Sequence, residues 1–428
     1  MELLNKCLGL LEEKGADKAE VFLSHGFIDE MNINNGEISL LRSREEYHLN
    51  ITAIIDQKKD FIQINQIDDQ SIEAAVDEVI KNARNSQADE AHDIASELIE
   101  KEFEADKSKL DLELMHRRLR DFITKVELDY PDLVIEEAAL EYIDKDKYYY
   151  NSNGVKLNSN NDTYLFSLVF FSKSGKQTSS FNYTNVFAKE LEKEIYELGS
   201  INYLLRESVE HLDPVLIEDK KFTGDLIITP DCMNEVLNFL LSHLQNYYLI
   251  AGISNFKDKL GDKVLDEKFS LRTEPASDKL AVKHYFGHDG IVNKNAYIFE
   301  NGILKNYLLD LYGSRKTGCD RGPSTGVNLV IESGDRSLEE MIRSIDKGII
   351  LSRFSGGHPA PNGDFSGVAK NSYYVENGEI KYPIKETMIS GNIFELFQNI
   401  KGISKERINN GSSLMPFIHF ADIVVSSK

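Results

Sequence analysis

Residues 134–187 form a long run rich in β-branched and aromatic side chains, broken only by turn-forming clusters, and no other feature restricts the fold as much. Tyr148-Tyr-Tyr150 leads into Asn151-Ser-Asn-Gly154, and residues 164–171 lead into Ser172-Lys-Ser-Gly175. Two strand-and-turn units in succession predict an antiparallel hairpin or meander. The same texture occurs near the start, where residues 19–23, 29–34, 38–42, 47–55 and 60–64 read as short strands separated by turns such as Asn34-Asn35-Gly36.

Helices are expected around these strands. Leu3, Leu4, Cys7, Leu8 and Leu11 recur at spacings of three and four, which predicts a helix over 2–14 stopped by Lys14-Gly15. A capping-type start at Ser71 predicts another over 71–84, and Leu112, Met115, Leu119, Phe122 and Ile123 predict one over 109–126. A helix near 188–209 is expected to close the first β region. Residues 225–228 read as a strand, and Thr229-Pro230 opens a helix lined on one face by Met233, Val236, Leu237, Leu240, Leu241 and Leu244. From Gly252 onward, turn dipeptides alternate with short β segments near 296–300, 327–331, 372–375 and 418–425.

The expected fold class is therefore α+β: an N-terminal α/β region with antiparallel sheets and helices over 1–215, then a β-rich C-terminal domain over 216–428. A sub-boundary is placed at 89–106, where eight acidic residues and a single Lys predict a solvated linker or exposed helix start.

Composition narrows the function classes. The 428 residues carry 49 Lys+Arg against 71 Asp+Glu, a formal charge of −22. That balance opposes nucleic-acid or anionic-membrane binding, which draws on clustered basic residues. The cysteines Cys7, Cys232 and Cys319 include no CxxC pair, which fits a reducing compartment. Met1-Glu-Leu-Leu-Asn5 has no basic leader, and no apolar run nears the roughly 20 residues of a membrane span, so a cytoplasmic location is expected.

Three usual catalytic signatures are missing. GxGxxG, GxxxxGK[ST] and HExxH, which serve dinucleotides, phosphates and zinc, do not occur. His284 and His288 have HxxxH spacing with Asp289 adjacent, but Gly287 and the alternating pattern predict a strand entering a turn, with the rings in unrelated places. His243 is read as a lone imidazole inside the strong helix. Cys319 lies in Thr317-Gly-Cys-Asp-Arg-Gly322, a loop without an assigned base. The segment 356–367, with four Gly and two Pro, fixes an unusual backbone path and offers Asn362, Asp364 and Ser366.

Several short motifs in one order point further. These are Gly224-Asp-Leu-Ile-Ile-Thr-Pro230, Ala251-Gly-Ile-Ser-Asn255, Gly287-His-Asp-Gly290, Asn301-Gly-Ile-Leu-Lys-Asn-Tyr307, Ser314-Arg-Lys316, Asn362-Gly-Asp-Phe-Ser-Gly367, Val375-Glu-Asn-Gly-Glu379 and Ile389-Ser-Gly-Asn392. With the Asn151-Ser-Asn-Gly154 turn and residues 20–42, they resemble the TldD/PmbA family over nearly the whole chain.

The resemblance implies a two-part α+β protein working as a TldD–TldE (PmbA) heterodimer, a cytoplasmic metalloprotease that trims unfolded peptides, microcin precursors included. TldD-type chains hold zinc through H-E-x-x-x-H on the central helix and a late Cys. Here the matching stretch reads His243-Leu-Gln-Asn-Tyr-Tyr248, and the late stretch reads Asn409-Asn-Gly-Ser-Ser413. The chain thus resembles the PmbA/TldE half, with no catalytic residue, no metal ligand and no cofactor of its own; zinc is expected only in a TldD-like partner. Arg315, Asn362, Asp364, Phe365, Ser366 and Gly367 are the expected contacts to substrate or partner. A homodimer is the expected form when the chain is alone. The alternatives are a self-sufficient hydrolase built on residues 284–289 or Cys319, and a homodimeric peptide-binding protein without proteolytic activity. The family's older label, modulator of DNA gyrase, draws no support from a charge of −22.

Overall fold

A computed structural model describes residues 1–34, 36–105 and 108–428. In chain order the first half contains α1 (Glu2–Glu13), β1 (Lys18–Asn34), β2 (Glu37–Ile55), β3 (Lys58–Ile64), α2 (Asp69–Asn85), β4 (Glu100–Phe103), α3 (Leu112–Asp129), β5 (Leu133–Asn151), β6 (Lys156–Ser174), β7 (Gln177–Thr178), β8 (Asn182–Ala188) and α4 (Ile201–Glu210). The second half contains β9 (Lys221–Ile228), α5 (Pro230–Ser242), α6 (Asn246–Ile250), β10 (Leu271–Thr273), β11 (Ala296–Glu300), β12 (Ile303–Leu304), α7 (Leu311–Thr317), β13 (Leu329–Ile331), α8 (Leu338–Arg343), β14 (Lys347–Leu351), β15 (Arg353–Gly356) and β16 (Asp364–Lys370). It ends with β17 (Tyr373–Glu376), β18 (Glu379–Pro383), β19 (Thr387–Asn392), α9 (Ile393–Gln398), β20 (Ile400–Asn409) and β21 (Leu414–Ser427). The α+β class holds.

The first sheet runs β3-β2-β1-β5-β6-β4, with β7 and β8 also on β6, and is antiparallel apart from the parallel β4–β6 pair. One face is apolar and covered by helices. Leu4, Cys7 and Leu11 of α1 and Ile72, Val76 and Val79 of α2 pack on Val21, Leu23, Leu49 and Ile51. Leu119 and Phe122 of α3 and Leu204 and Leu205 of α4 pack on Met31, Leu140, Phe166 and Phe170. The second sheet runs β12-β11-β10-β13-β21-β9-β14-β17-β18, with β15, β16, β19 and β20 joined through β21. Its main core gathers Leu237, Leu240 and Leu241 of α5 with Leu226, Ile228, Phe397, Ile418 and Phe420. Among the described residues, no helix is long and apolar enough to cross a membrane.

Two local expectations change, and a third rests on a residue that is not described. The short strands predicted over 19–55 are two long ones, β1 and β2, because paired polar residues carry the ladder through the gaps: Arg42 and Arg44 both reach the buried carboxylate of Glu30, Arg42 at 2.9 Å and Arg44 at 2.6 Å. The predicted turn at Asn34-Asn35-Gly36 includes Asn35, which lies outside the described residues. The helix near 188–209 is only a single 3₁₀ turn at Ile195–Glu197 followed by α4.

The acidic stretch 89–106, whose last residue also lies outside the described residues, is solvated in its later part, where Glu97, Glu100, Glu102 and Glu104 are exposed, but not throughout: Ala91, Ile94 and Ala95 are buried, and β4 pairs with β6. Two of its carboxylates are counter-charges: Asp89 accepts from Tyr312 at 2.9 Å and pairs with Lys316 at 2.8 Å, while Asp93 pairs with Lys18 and Arg315.

Candidate functional site

Beneath α5 lies a cavity of about 590 Å3, the best candidate for binding an apolar group. The sequence builds it from two directions. Helix α5 presents Val236, Phe239 and Ser242 on the face that meets the end of β9, and the β15–β16 hairpin closes the other side with Phe354, Gly356, Pro359 and Phe365. Phe354 and Phe365 meet edge to face at 5.6 Å between ring centroids. Gly356 and Gly367 leave room for the Phe354 ring, since a Cβ on Gly367 would lie 2.4 Å from it.

The loop between these strands is pinned by its polar residues. Asn362 donates to Asp364 at 2.7 Å, and Asn392 donates to Asp364 at 2.9 Å and to the Asn362 carbonyl at 2.8 Å. These two amides, Asn392 first, hold the Asp364 carboxyl below its ordinary pKa. Asn392 also caps α9. Gly363 has φ +93°, and a Cβ there would fall 2.5 Å from Phe394. Of the residues singled out in sequence, Phe365 lines the cavity, Gly367 fits against Phe354, and Asn362, Asp364 and Ser366 are exposed at the surface. Arg315 is not with them: it sits on α7 and pairs with Asp93 of the first half.

His243 is not inside a helix. It is the C-terminal cap of α5, and the chain turns there before α6, with Asn246 tied to Asp310 at 2.7 Å. Its Nδ1 accepts the Asn255 backbone N–H at 3.2 Å, so its Nε2 carries the proton. The ring is fully buried among Phe239, Tyr248 and Phe394, with centroids 5.0, 4.1 and 5.0 Å away. Burial pushes its pKa down to about 4. Zinc needs about three or four donors. Here one imidazole has its free nitrogen committed to an amide, Leu244 is in the core, and no group of His, Cys, Asp and Glu suited to a metal occurs among the described residues. The donor set does not fit a zinc ion. Asn255 also donates to the Pro361 carbonyl at 3.1 Å, which joins the His243 cage to the glycine-rich loop.

Other sequence motifs meet in the seam between the halves. Gly290 packs against Tyr149, where a Cβ would lie 2.1 Å from the ring, and Asp289 holds Arg321 through two bonds of 3.0 and 3.1 Å. Tyr149 donates to Glu20 at 2.7 Å and accepts from Asn151 at 3.2 Å. His284 and His288 do share a neighbourhood, since the charges of Lys147 and Lys145 act on both rings. The reason is that the 285–292 segment lies on the first sheet, with Phe286 against Phe22, Tyr149 and Leu157. Farther along the seam, the buried Arg353 donates to Asn182 at 3.0 Å, and Asn182 donates to Glu207 at 3.1 Å. Burial raises the Glu207 pKa to about 8, against the lowering effects of Ser352, Arg353 and Asn182. Neither this polar chain nor the aromatic cage was expected; the i, i+4 spacing of Phe239 and His243 is the one signal that could have revealed part of the cage.

Two family models match the chain: the PmbA/TldA metallopeptidase C-terminal domain over residues 222–427 and PmbA/TldA metallopeptidase domain 1 over residues 19–83. The Metalloprotease PmbA homolog of Haemophilus influenzae is 25% identical over 404 residues, covering 89% of this chain and 86% of that one. Metalloprotease PmbA of Escherichia coli O157:H7 is 31% identical over 202 residues, 44% of each chain. The crystal structure of TldE from Thermococcus kodakarensis shares the fold, with a TM-score of 0.82 at 20% identity, covering 99% of this chain and 100% of that one.

Proposed function

Because the chain belongs to the PmbA/TldD metallopeptidase family, we propose that it is the non-catalytic half of a two-chain metalloprotease. In this reading it is a cytoplasmic subunit that pairs with a zinc-bearing TldD-like chain and helps position unfolded peptide for cleavage. The observation that carries the proposal is the state of His243. Its Nδ1 is engaged by Asn255 and its ring is shut among three aromatic rings, so this chain has neither a zinc-binding group nor a base there.

The cavity beneath α5 supplies the peptide-handling part. Its walls are mostly Leu, Ile, Val and Phe, which suit an apolar side chain, and unfolded peptides expose such side chains. Asn362, Asp364 and Ser366 stand exposed beside it, where they can meet a peptide or the partner chain. Arg315 serves instead to hold the two halves of this chain together through Asp93.

Elemental analysis and size-exclusion chromatography test the proposal together. The isolated chain is expected to carry no stoichiometric zinc and to form a complex with a TldD-like chain. About one tightly held zinc per isolated chain would contradict it.

A further inference from the structure

The seam face of the first sheet holds two lysines, Lys145 and Lys147, that pair with no carboxylate among the described residues. On β5, Lys147 and Lys145 point to the same face as Tyr149, because alternate residues of a strand share a face. Strand pairing sets Lys147 between Ser24 of β1 and Ser159 of β6, and Lys145 between Gly26 and Asn161. Both lysines are therefore flanked by uncharged residues. Gly26 leaves that face open beside Lys145, since a Cβ there would meet nothing closer than the Asp144 carbonyl at 4.0 Å. The charges of both lysines act on the imidazoles of His284 and His288, and Lys145 and His288 are exposed to solvent.

The acidic groups nearby are already engaged. Asp144 and Asp146 lie on the opposite face, where Asn160 donates to both, at 2.9 and 2.7 Å. Asp289 is held by Arg321. Glu46, in register with Gly26, is paired with Arg44 at 2.8 Å, and Glu20 is taken by Tyr149 and Lys59. Among the described residues, no ion pair joins Lys145 or Lys147 to a carboxylate, in a chain with 71 acidic residues against 49 basic ones. The Ser24 hydroxyl, on the same face and 7% exposed, has no hydrogen-bond partner among the described residues.

A desolvated ammonium without a partner costs stability, and so does an unsatisfied buried hydroxyl. Burial, reinforced by Lys145, pushes the Lys147 pKa down to about 8, yet the group stays mostly charged at neutral pH. An anion from outside would offset both costs at once.

We propose that this face binds a small oxyanion, a carboxylate or a phosphate, held by Lys147 and Lys145 with a further hydrogen bond donated by Ser24. The site does not depend on the function proposed above, since it would bind the same chemistry in a chain with no protease partner.

Calorimetric and thermal-shift titrations of the full chain at pH 7 and low salt test it, with three probes: inorganic phosphate, N-acetyl-dialanine with a free carboxylate, and the same dipeptide as its amide. Phosphate, the free acid or both should bind and raise Tm, while the amide should do neither; which of the two binds more tightly identifies the source of the oxyanion. Lys147→Gln should weaken binding about tenfold or more and Ser24→Ala by less, since a charge-assisted bond is worth more than a neutral one. Lys176→Gln, at an exposed turn, should bind as the parent does. Affinity should fall as pH rises past about 8, where Lys147 gives up its proton. Without ligand, Lys147→Met should be at least as stable as the parent at pH 7, which separates a ligand-binding lysine from one needed for folding. Failure of both anions to bind, or equal binding by the Lys147 and Lys176 variants, would overturn the proposal.

Discussion

His243 Nδ1 accepts the backbone N–H of Asn255 at 3.2 Å, and that single bond ties the end of α5 to the segment that supports the glycine-rich loop. The ring is neutral at physiological pH because burial lowers its pKa from an ordinary 6.5 to about 4. Between those values the unfolded chain binds a proton that the folded chain does not, so this group makes stability fall as pH drops from about 6.5 toward 4. His243→Phe should lose that pH dependence. It should also cost roughly 1–3 kcal/mol at pH 7, because the Asn255 N–H is left unpaired. Denaturant unfolding at pH 5 and pH 7 checks both effects, and the partner's cleavage rate in a reconstituted complex should change little.

Gly363→Ala should damage the same region from the other side. Its φ of +93° disfavours a side chain, and the added methyl would meet Phe394 at 2.5 Å, displacing a ring that cages His243. A loss of about 1–3 kcal/mol is expected. Urea denaturation should show the loss, and peptide affinity should fall with it.

Glu207→Gln should alter stability in the opposite pH range. The carboxyl pKa is raised from 4.5 to about 8, so between these values the folded chain keeps a proton that the unfolded chain has lost, and stability declines as pH rises through that window. The amide removes this decline. The variant should gain on the parent from pH 5 to pH 8, as read from Tm at matched ionic strength.

Asp364→Ala and Ser366→Ala test the exposed rim of the cavity. Both should weaken peptide or partner binding more than they slow bond cleavage, because neither residue has a nucleophile–base arrangement with its neighbours. Single-turnover cleavage at saturating peptide and partner is the check, and a collapse of the chemical rate with binding intact would place this loop in the catalytic machinery.

Much of the fold is legible in the sequence because helix periodicity and turn residues are local signals. α1, α2 and α5 each announce one apolar face, and the two turns beginning at Asn151 and Ser172 mark the strands around them. What is not legible depends on partners distant in the chain. Asp89 and Asp93 look like a solvated acidic run until Lys316 and Arg315 arrive from the second half. The break at His243 is tied to Asn246, whose partner Asp310 lies on another loop. Lys145 and Lys147 alternate with Asp144 and Asp146 as an exposed strand would, and the 285–292 segment then covers part of that face. The candidate site is legible only in part: the glycine-rich loop draws notice by composition, whereas the aromatic cage and the cavity exist only once α5, α6 and α9 meet.

The most direct measurement is peptide cleavage by this chain alone, by a TldD-like chain alone and by their mixture, each with and without a metal chelator. This chain alone should leave an unfolded peptide intact, the mixture should cleave it, and chelation should abolish the mixture's activity through the partner's zinc. Cleavage by the isolated chain that persists in chelator would contradict the non-catalytic role and point to a catalytic centre of this chain's own.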